Sequence, residues 1–438
     1  MPSTHAPSHT VLRRLILECL LLGGALLPAR IVAQEPARGP STAPLTLDEA
    51  IDVARASNAQ LPVALLDSTI AQAELREARA SRWPRVSLES SANFGGPLAY
   101  TTSQGLLQIV GSDTLYSGGL RRANLRAARY RVQFAGAGYR IAQRDVDLDV
   151  RLRFAEALRA EEGIAIRTQG IERLRSYLAH IEARQAAGQP VGSDVLTAQV
   201  RLGREEATLA DSRRALDEAR FELNDLMGRD PRSPLTLVQL PTPSPPVSVA
   251  DSPWLASPEM RRATLNNLII QAGFASILSE RRPQLSMSAN LGVLPTFSST
   301  NPGTGPFSGS GIGGALTLSL SWPLLDAGVF RSRLERANLL TQQARGSAAV
   351  VRRQSQLSWQ LADVQRTRGY EQVRIWAGNV PLARDASLQM ESMYNGGAAT
   401  ALEVLDAYAA WVDANESYAD AVLHFRQAEA AALRWGAP

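Results

Sequence analysis

Gly119 and Val195 stand 76 residues apart, and so do Gly328 and Val404, so one long segment of this 438-residue chain occurs twice at an offset of 209. Ser117-Gly118-Gly119-Leu120-Arg121 answers Asp326-Ala327-Gly328-Val329-Phe330, and Asp194-Val195-Leu196 answers Glu403-Val404-Leu405. Beyond Val195 the first copy places Leu202, Leu209, Leu216 and Leu223 at steps of seven; beyond Val404 the second places Trp411, Tyr418, Phe425 and Ala432 at the same steps. A seven-residue apolar repeat is the mark of helices wound around one another. Its return in one register at two places reads as internal duplication rather than as an ordinary amphipathic helix.

The helices are too long for a compact domain. From Gly119 to about Ala187 the helical pattern is unbroken, and some 68 residues at 1.5 Å each span about 100 Å. Gly188-Gln189-Pro190-Val191-Gly192 then turns the chain into a heptad helix from Ser193 to Met227. That return covers about half of the outgoing length. The helical stretch from Thr46 to Arg82, opened by the capping box Thr46-Leu47-Asp48-Glu49 and broken near Pro62, has the right size to stack end to end with it. The second copy repeats the plan, with a turn at Asn395-Gly396-Gly397 and a stop at Gly436. Between the copies lies a proline-rich linker carrying Pro241, Pro243, Pro245 and Pro246. The expected division is therefore 45–228, 229–256 as linker, and 257–438.

Before each long helix the period changes to two, the mark of a strand with one dry and one wet face. Val86, Leu88, Ser90, Ala92 and Phe94 alternate with more polar neighbours; Leu285, Met287, Ala289, Leu291 and Val293 alternate with Ser286, Ser288, Asn290 and Gly292. The return strand Leu316, Leu318, Leu320, Trp322 is the cleanest, and its counterpart around Leu107 to Tyr116 is ragged. Four strands of roughly ten residues with one apolar face suit a membrane barrel, but barrels begin at about eight strands and an open edge is not tolerated in hydrocarbon. The chain is expected to share a barrel with copies of itself.

Residues 1–33 read as a secretory leader: Arg13 and Arg14, then an apolar run from Leu15 to Leu27 too short and too interrupted to span a bilayer. Residues 34–44 form a flexible lead-in. The sole cysteine, Cys19, lies in the leader, which excludes disulfides and a thiol nucleophile from the mature chain. All 46 basic residues are arginine, without a basic cluster interleaved with aromatics, so nucleic-acid binding is not indicated. His180 and His424 stand alone on helices, Glu161-Glu162 and Glu205-Glu206 read as solvated faces, and no phosphate-binding glycine loop occurs. The expectation is a protein that is not an enzyme and has neither metal nor cofactor, its energy supplied by a partner.

Leu45-Thr46-Leu47-Asp48-Glu49-Ala50-Ile51, paired strands ending in a glycine before a long helix, and two turns of the form Gly then Asp/Glu-Val-Leu resemble the TolC family of outer membrane efflux proteins. The resemblance covers nearly all of the chain from Leu45. It implies an α+β membrane protein: a long α-helical coiled-coil barrel forming a periplasmic tunnel, with four strands per chain given to a shared, trimeric, twelve-stranded transmembrane β-barrel. It further implies residence in the outer membrane of a two-membrane bacterium, contact with outer membrane lipid, and docking to a periplasmic adaptor and an inner-membrane transporter. The function expected is a passive exit duct of a tripartite efflux or type I secretion system, opened at its tip by those partners. The alternative is a periplasmic coiled-coil adaptor or interaction protein without a barrel.

The resemblance also assigns roles. Asp194 is matched to a tip-latch aspartate and Tyr394 to its tyrosine partner, while the position of the family's latch arginine falls on Ala399. Asp194 also suits a helix-start carboxylate. Glu403 and Asp406, three apart on one helix face, are matched to the acids of the pore constriction, where three copies would favour cations; Thr400-Ala401-Leu402-Glu403 is equally a capping box. Gly188, Val191, Gly396 and Gly397 form the turns that would meet the adaptor.

Overall fold

A computed structural model describes residues 44–95, 102–188, 192–247, 252–298 and 310–435. The leader, nearly all of the lead-in, Val191 and Gly436 lie outside the described residues.

Thr46 opens α1 (Leu47–Ser57) with the expected reciprocal cap: its Oγ1 accepts from Glu49 N at 3.3 Å, and its own N–H donates to Glu49 Oε2 at 2.9 Å. The break before α2 (Gln60–Ala80) falls at Asn58 and Ala59, not near Pro62. Asn58 donates through Nδ2 to Leu226 O at 3.1 Å and accepts from Gln60 N at 2.9 Å, so its side chain ties the end of α4 to the first residue of α2. Pro62 sits in the first turn of α2, where a missing N–H breaks no helical bond.

Strands β1 (Arg85–Gly95) and β2 (Thr102–Tyr116) lead into α3 (Leu120–Ala186); α4 (Gly192–Leu226) returns. After the linker and a short 3-10 turn, α5 (Pro258–Glu280), β3 (Gln284–Ser298), β4 (Ser310–Ser321), α6 (Val329–Asn395) and α7 (Ala401–Leu433) repeat the order. Helices α3 and α6 each have 67 residues. They begin and end at the same offset, as do the starts of α4 and α7. Gly119 and Gly328, at φ +105° and +91°, occupy the left-handed region where the chain enters each long helix.

The strands form one antiparallel sheet in the order β1-β2-β3-β4, so β2 and β3 join the two copies. The ragged strand extends further than its side-chain pattern suggests, from Thr102, because its backbone is paired on both sides. The register aligns Leu88 with Ile109 and Ile109 with Leu291 in one row, and Val86, Gly111, Ala289 and Leu316 in the next. Val86, Leu88, Ile109, Leu291, Leu316, Leu318 and Leu320 are all exposed on that face. The opposite face carries a polar ladder in which Gln108 bonds Glu89 at 3.1 Å and Asn290 at 3.4 Å.

Helix α3 is covered in two lengths. Its half near the turn packs on α4, whose Leu209, Leu216 and Leu223 are buried, and its half near the sheet packs on α1 and α2. In the second copy α7 and α5 divide α6 in the same way, and α5 also packs on α3. Where α4 ends against α1, Val146, Val150 and Phe154 of α3 join Ile51, Leu223 and Met227 in one core, closed by Leu235 and Leu237 of the linker. Leu45 pairs with this linker strand, accepting from Val238 N at 2.9 Å.

Charges join α3 to both return helices. Arg167 bonds Glu205 of α4 at 2.8 Å and Glu416 of α7 at 2.6 Å, all three largely shielded from water. Burial pushes the Glu416 carboxyl above its usual range, and Arg167 pulls it back. Arg159 meets Asp420 at 2.6 Å, and Arg220 meets Glu161 at 2.9 Å. Glu161 and Glu205 are therefore not solvated faces: each spans two helices through an arginine far away in sequence.

Gly228 ends α4 at φ +62°, and a Cβ there would lie 2.7 Å from Ser57 O. Gly228→Ala is expected to destabilise the fold by more than about 1 kcal/mol. Gly136→Ala, inside α3 with open space around it, should instead stabilise it by up to about 1 kcal/mol. Chemical denaturation in detergent reads both.

Candidate functional site

Four helices from both copies converge behind the two turns. Leu174, Tyr177 and Ile181 of α3, Val195 and Ala198 of α4, Tyr394 of α6, and Ala401, Val404, Leu405 and Tyr408 of α7 form one buried cluster. The repeated pair Val195 and Val404 lies inside it, which explains why the register was kept in both copies. Gly188 (φ +83°) and Gly397 (φ +75°) take the left-handed conformation that reverses the chain, while Gly396 is an ordinary right-handed helix end. All three are exposed.

Tyr394 is 5% exposed, and its hydroxyl has no hydrogen-bond partner among the described residues. Among the described residues it forms no hydrogen bond to Asp194, whose carboxylate accepts instead from Ser193 Oγ at 3.4 Å. What holds Tyr394 is aromatic packing. Its ring meets Tyr177 edge-on at 5.5 Å between centroids, and Tyr177 meets Tyr408 at 5.9 Å, contacts worth about 0.5–1.5 kcal/mol each beyond burial. Arg184, from the last turn of α3, lies over the Tyr394 ring at 4.9 Å. A guanidinium thus reaches Tyr394 from the first copy, whereas the position in the second copy is Ala399. Burial, then the Tyr394 phenol, then the Asp194 carboxylate push the Tyr177 phenol well above its ordinary range, so it stays protonated. Burial, with Glu391, does the same for Tyr408.

One turn further from the tip, Arg173 stacks on Trp411 at 4.0 Å, and the absence of a side chain at Gly170 lets Val412 approach α3. From Arg159–Asp420 through Arg167–Glu416 to Tyr177–Tyr408, α3 and α7 are therefore joined by one contact roughly every two turns.

Glu403 and Asp406 are exposed, on a face of α7 that continues through Ala410 to Asp413. Glu403 is engaged as a cap: its Oε2 accepts from Thr400 N at 2.7 Å and Oγ1 at 2.9 Å. The Thr400 backbone N–H holds this carboxyl below its usual range. Asp406 has no such local duty and makes no ion pair among the described residues. Sequence reasoning misses Tyr177, Tyr408 and Arg184. Tyr177 stands three residues after Leu174 and four before Ile181, so its spacing marks it only as core.

A family model described as "Outer membrane efflux protein" matches residues 50–229 and 256–434. Protein CyaE of Bordetella pertussis is 25% identical over 406 residues, covering 89% of this chain and 82% of that one. The outer-membrane channel OprN superposes with a TM-score of 0.80 at 20% identity over 90% of each chain. The outer membrane protein VceC of Vibrio cholerae superposes at 0.78 and 18% identity, over 89% of this chain and 96% of that one.

Because the Tyr394 hydroxyl has no hydrogen-bond partner among the described residues, Tyr394→Phe should leave amide-exchange protection of residues 174–181 and 401–408 unchanged. Tyr177→Ala, which empties the middle of the aromatic cluster, should lower it by about 3–5 kcal/mol.

Proposed function

The chain belongs to the outer membrane efflux protein family, acting as a channel of the outer membrane that extends into the periplasm, and from that premise we propose that three copies assemble into one passive exit duct. The observation that carries this is the sheet: four strands with an apolar exposed face, a polar opposite face and two unpaired edges, feeding directly into equal helices. Edge N–H and C=O groups cannot stay unpaired in hydrocarbon, and four strands cannot close on themselves. Three copies give a twelve-stranded barrel with the leucine rows towards lipid and Glu89, Gln108 and Asn290 towards the lumen.

Each chain contributes two repeats, 45–228 and 257–438, tied by the linker 229–256, so that six helical hairpins surround the tunnel. The turns at Gly188 to Gly192 and Gly396 to Gly397, Val191 among them, are the ends offered to a periplasmic adaptor, which couples the duct to an inner-membrane pump. Asp194 and Tyr394 belong to the latch of the closed tip, and packing of Tyr394 against Tyr177 supports a latch based on aromatic contact rather than on a single hydrogen bond. Glu403 and Asp406 line the constriction. Three copies set six carboxylates around one opening, and Asp406, which no local cap occupies, dominates its field.

Leu318→Arg, an arginine placed on the lipid face at a cost of about 2–4 kcal/mol near the midplane, should remove the protein from the outer membrane fraction and abolish its heat-labile trimer on gels. Thr317→Arg, on the other face, should preserve both. A soluble monomer in the unaltered protein would sink the duct reading. In planar bilayers, Asp406→Asn should lower cation preference, read as the reversal potential, more than Glu403→Gln does.

A further inference from the structure

Along α3, Arg159 is matched to Asp420 and Arg167 to Glu205 and Glu416 on neighbouring helices. Nearer the sheet, several arginines without such matching gather in one place. Between α1, α3 and the start of α5 lies a cleft of about 310 Å³ lined by Arg55, Arg140, Arg144, Asp147, Pro258 and Arg261. Four guanidinium groups from three elements face one carboxylate. That carboxylate is already taken, since Asp147 accepts from Arg55 Nε at 2.7 Å and Nη2 at 2.5 Å. Arg144 donates to the Arg434 carbonyl at 3.0 Å, which leaves its charge uncompensated. The side chains of Arg140 and Arg261 make no ion pair or hydrogen bond among the described residues.

The cleft thus holds three positive charges without a counter-charge among its described lining residues, and Glu259 in the first turn of α5 is taken by Arg434. Like charges gathered on a concave wall repel unless an anion sits among them. Guanidinium groups are also suited to it, because their paired N–H groups match the two oxygens of a phosphate or carboxylate. The location limits the source. Arg140 is some 20 residues into α3, about 30 Å along the helix from the margin of the sheet, out of reach of lipid headgroups at that margin. The second copy does not repeat the feature, for Ala349 stands where Arg140 does in the first.

We propose that this cleft is a binding site for a multivalent oxyanion from the aqueous compartment, gripped between Arg140 on α3 and Arg261 on α5, with Arg144 strengthening the field. Phosphate and carboxylate groups share the required chemistry, and two probes separate them. Isothermal titration of the full-length purified protein in detergent, at fixed ionic strength, should give saturable binding of pyrophosphate at one site per chain. The double variant Arg140→Gln with Arg261→Gln should bind about 100-fold more weakly, roughly tenfold for each charge-assisted hydrogen-bonding group removed; both residues are exposed, so the fold should be retained. Arg353→Gln, an exposed arginine of α6, should bind as the unaltered protein does. Citrate binding as tightly as pyrophosphate assigns the site to carboxylates as well; citrate weaker by more than tenfold assigns it to phosphates. Heats that follow ionic strength alone, or equal affinity in the double variant, overturn the proposal. So does an unaltered protein that binds neither probe while the double variant loses its oligomer, since acids of a neighbouring copy would then be the occupant.

Discussion

A helix of 67 residues carries an apolar stripe that the 35-residue return helix covers for only half its length, and that shortfall governs where the remaining elements go. Water cannot be left against the other half without forfeiting the burial that stabilises long helices. In the first copy α1 and α2 supply the missing cover, and Asn58 abuts the end of α4 so that two short helices act as one long partner. In the second copy α5 does the same for α6. The linker follows from this joint, because Leu235 and Leu237 close the core where two helix ends leave a gap.

The contacts between the copies add specific pairs to apolar packing. Within the first hairpin, leucines and alanines at heptad spacing are accompanied by ion pairs such as Arg220–Glu161 and Arg175–Glu206. Between α3 and α7, beside the packing of Ile166 on Val412, the ties are two arginines each with one acid of α7, a cation over an indole, and edge-on tyrosines. Apolar surfaces tolerate sliding, whereas pairs of this sort have one register only. They fix the height of one hairpin against the other, and the tip cluster, built from all four helices, depends on that alignment.

Sequence makes the long elements legible because their signals are local. Left-handed glycines punctuate both ends of an uninterrupted helical pattern, and the expected bounds of α3 agree with the observed Leu120–Ala186 to within a residue. Alternation in β3 and β4 is clear for the same reason. β2 is blurred, since Gly111 and Asp113 fall on its apolar face and its backbone bonds, which its side chains do not advertise, define it. The break at Asn58 depends on a carbonyl 168 residues away. At the tip, the glycine turns can be read from the sequence. The arginine over Tyr394 cannot, because Arg184 belongs to the other copy from the one in which the family pattern places it. Glu205 looks like a surface residue in sequence, and only the fold sets Arg167 against it.

The equality of α3 and α6 bears on how such a chain can change over generations. Removing seven residues from one long helix would keep its heptads intact, and by local criteria would be harmless. It would also draw one turn about 10 Å back from its twin, leaving the two turns at unequal heights. Length can therefore drift only by matched steps in two distant stretches of the same gene, so the repeat that arose by copying is afterwards policed as a pair.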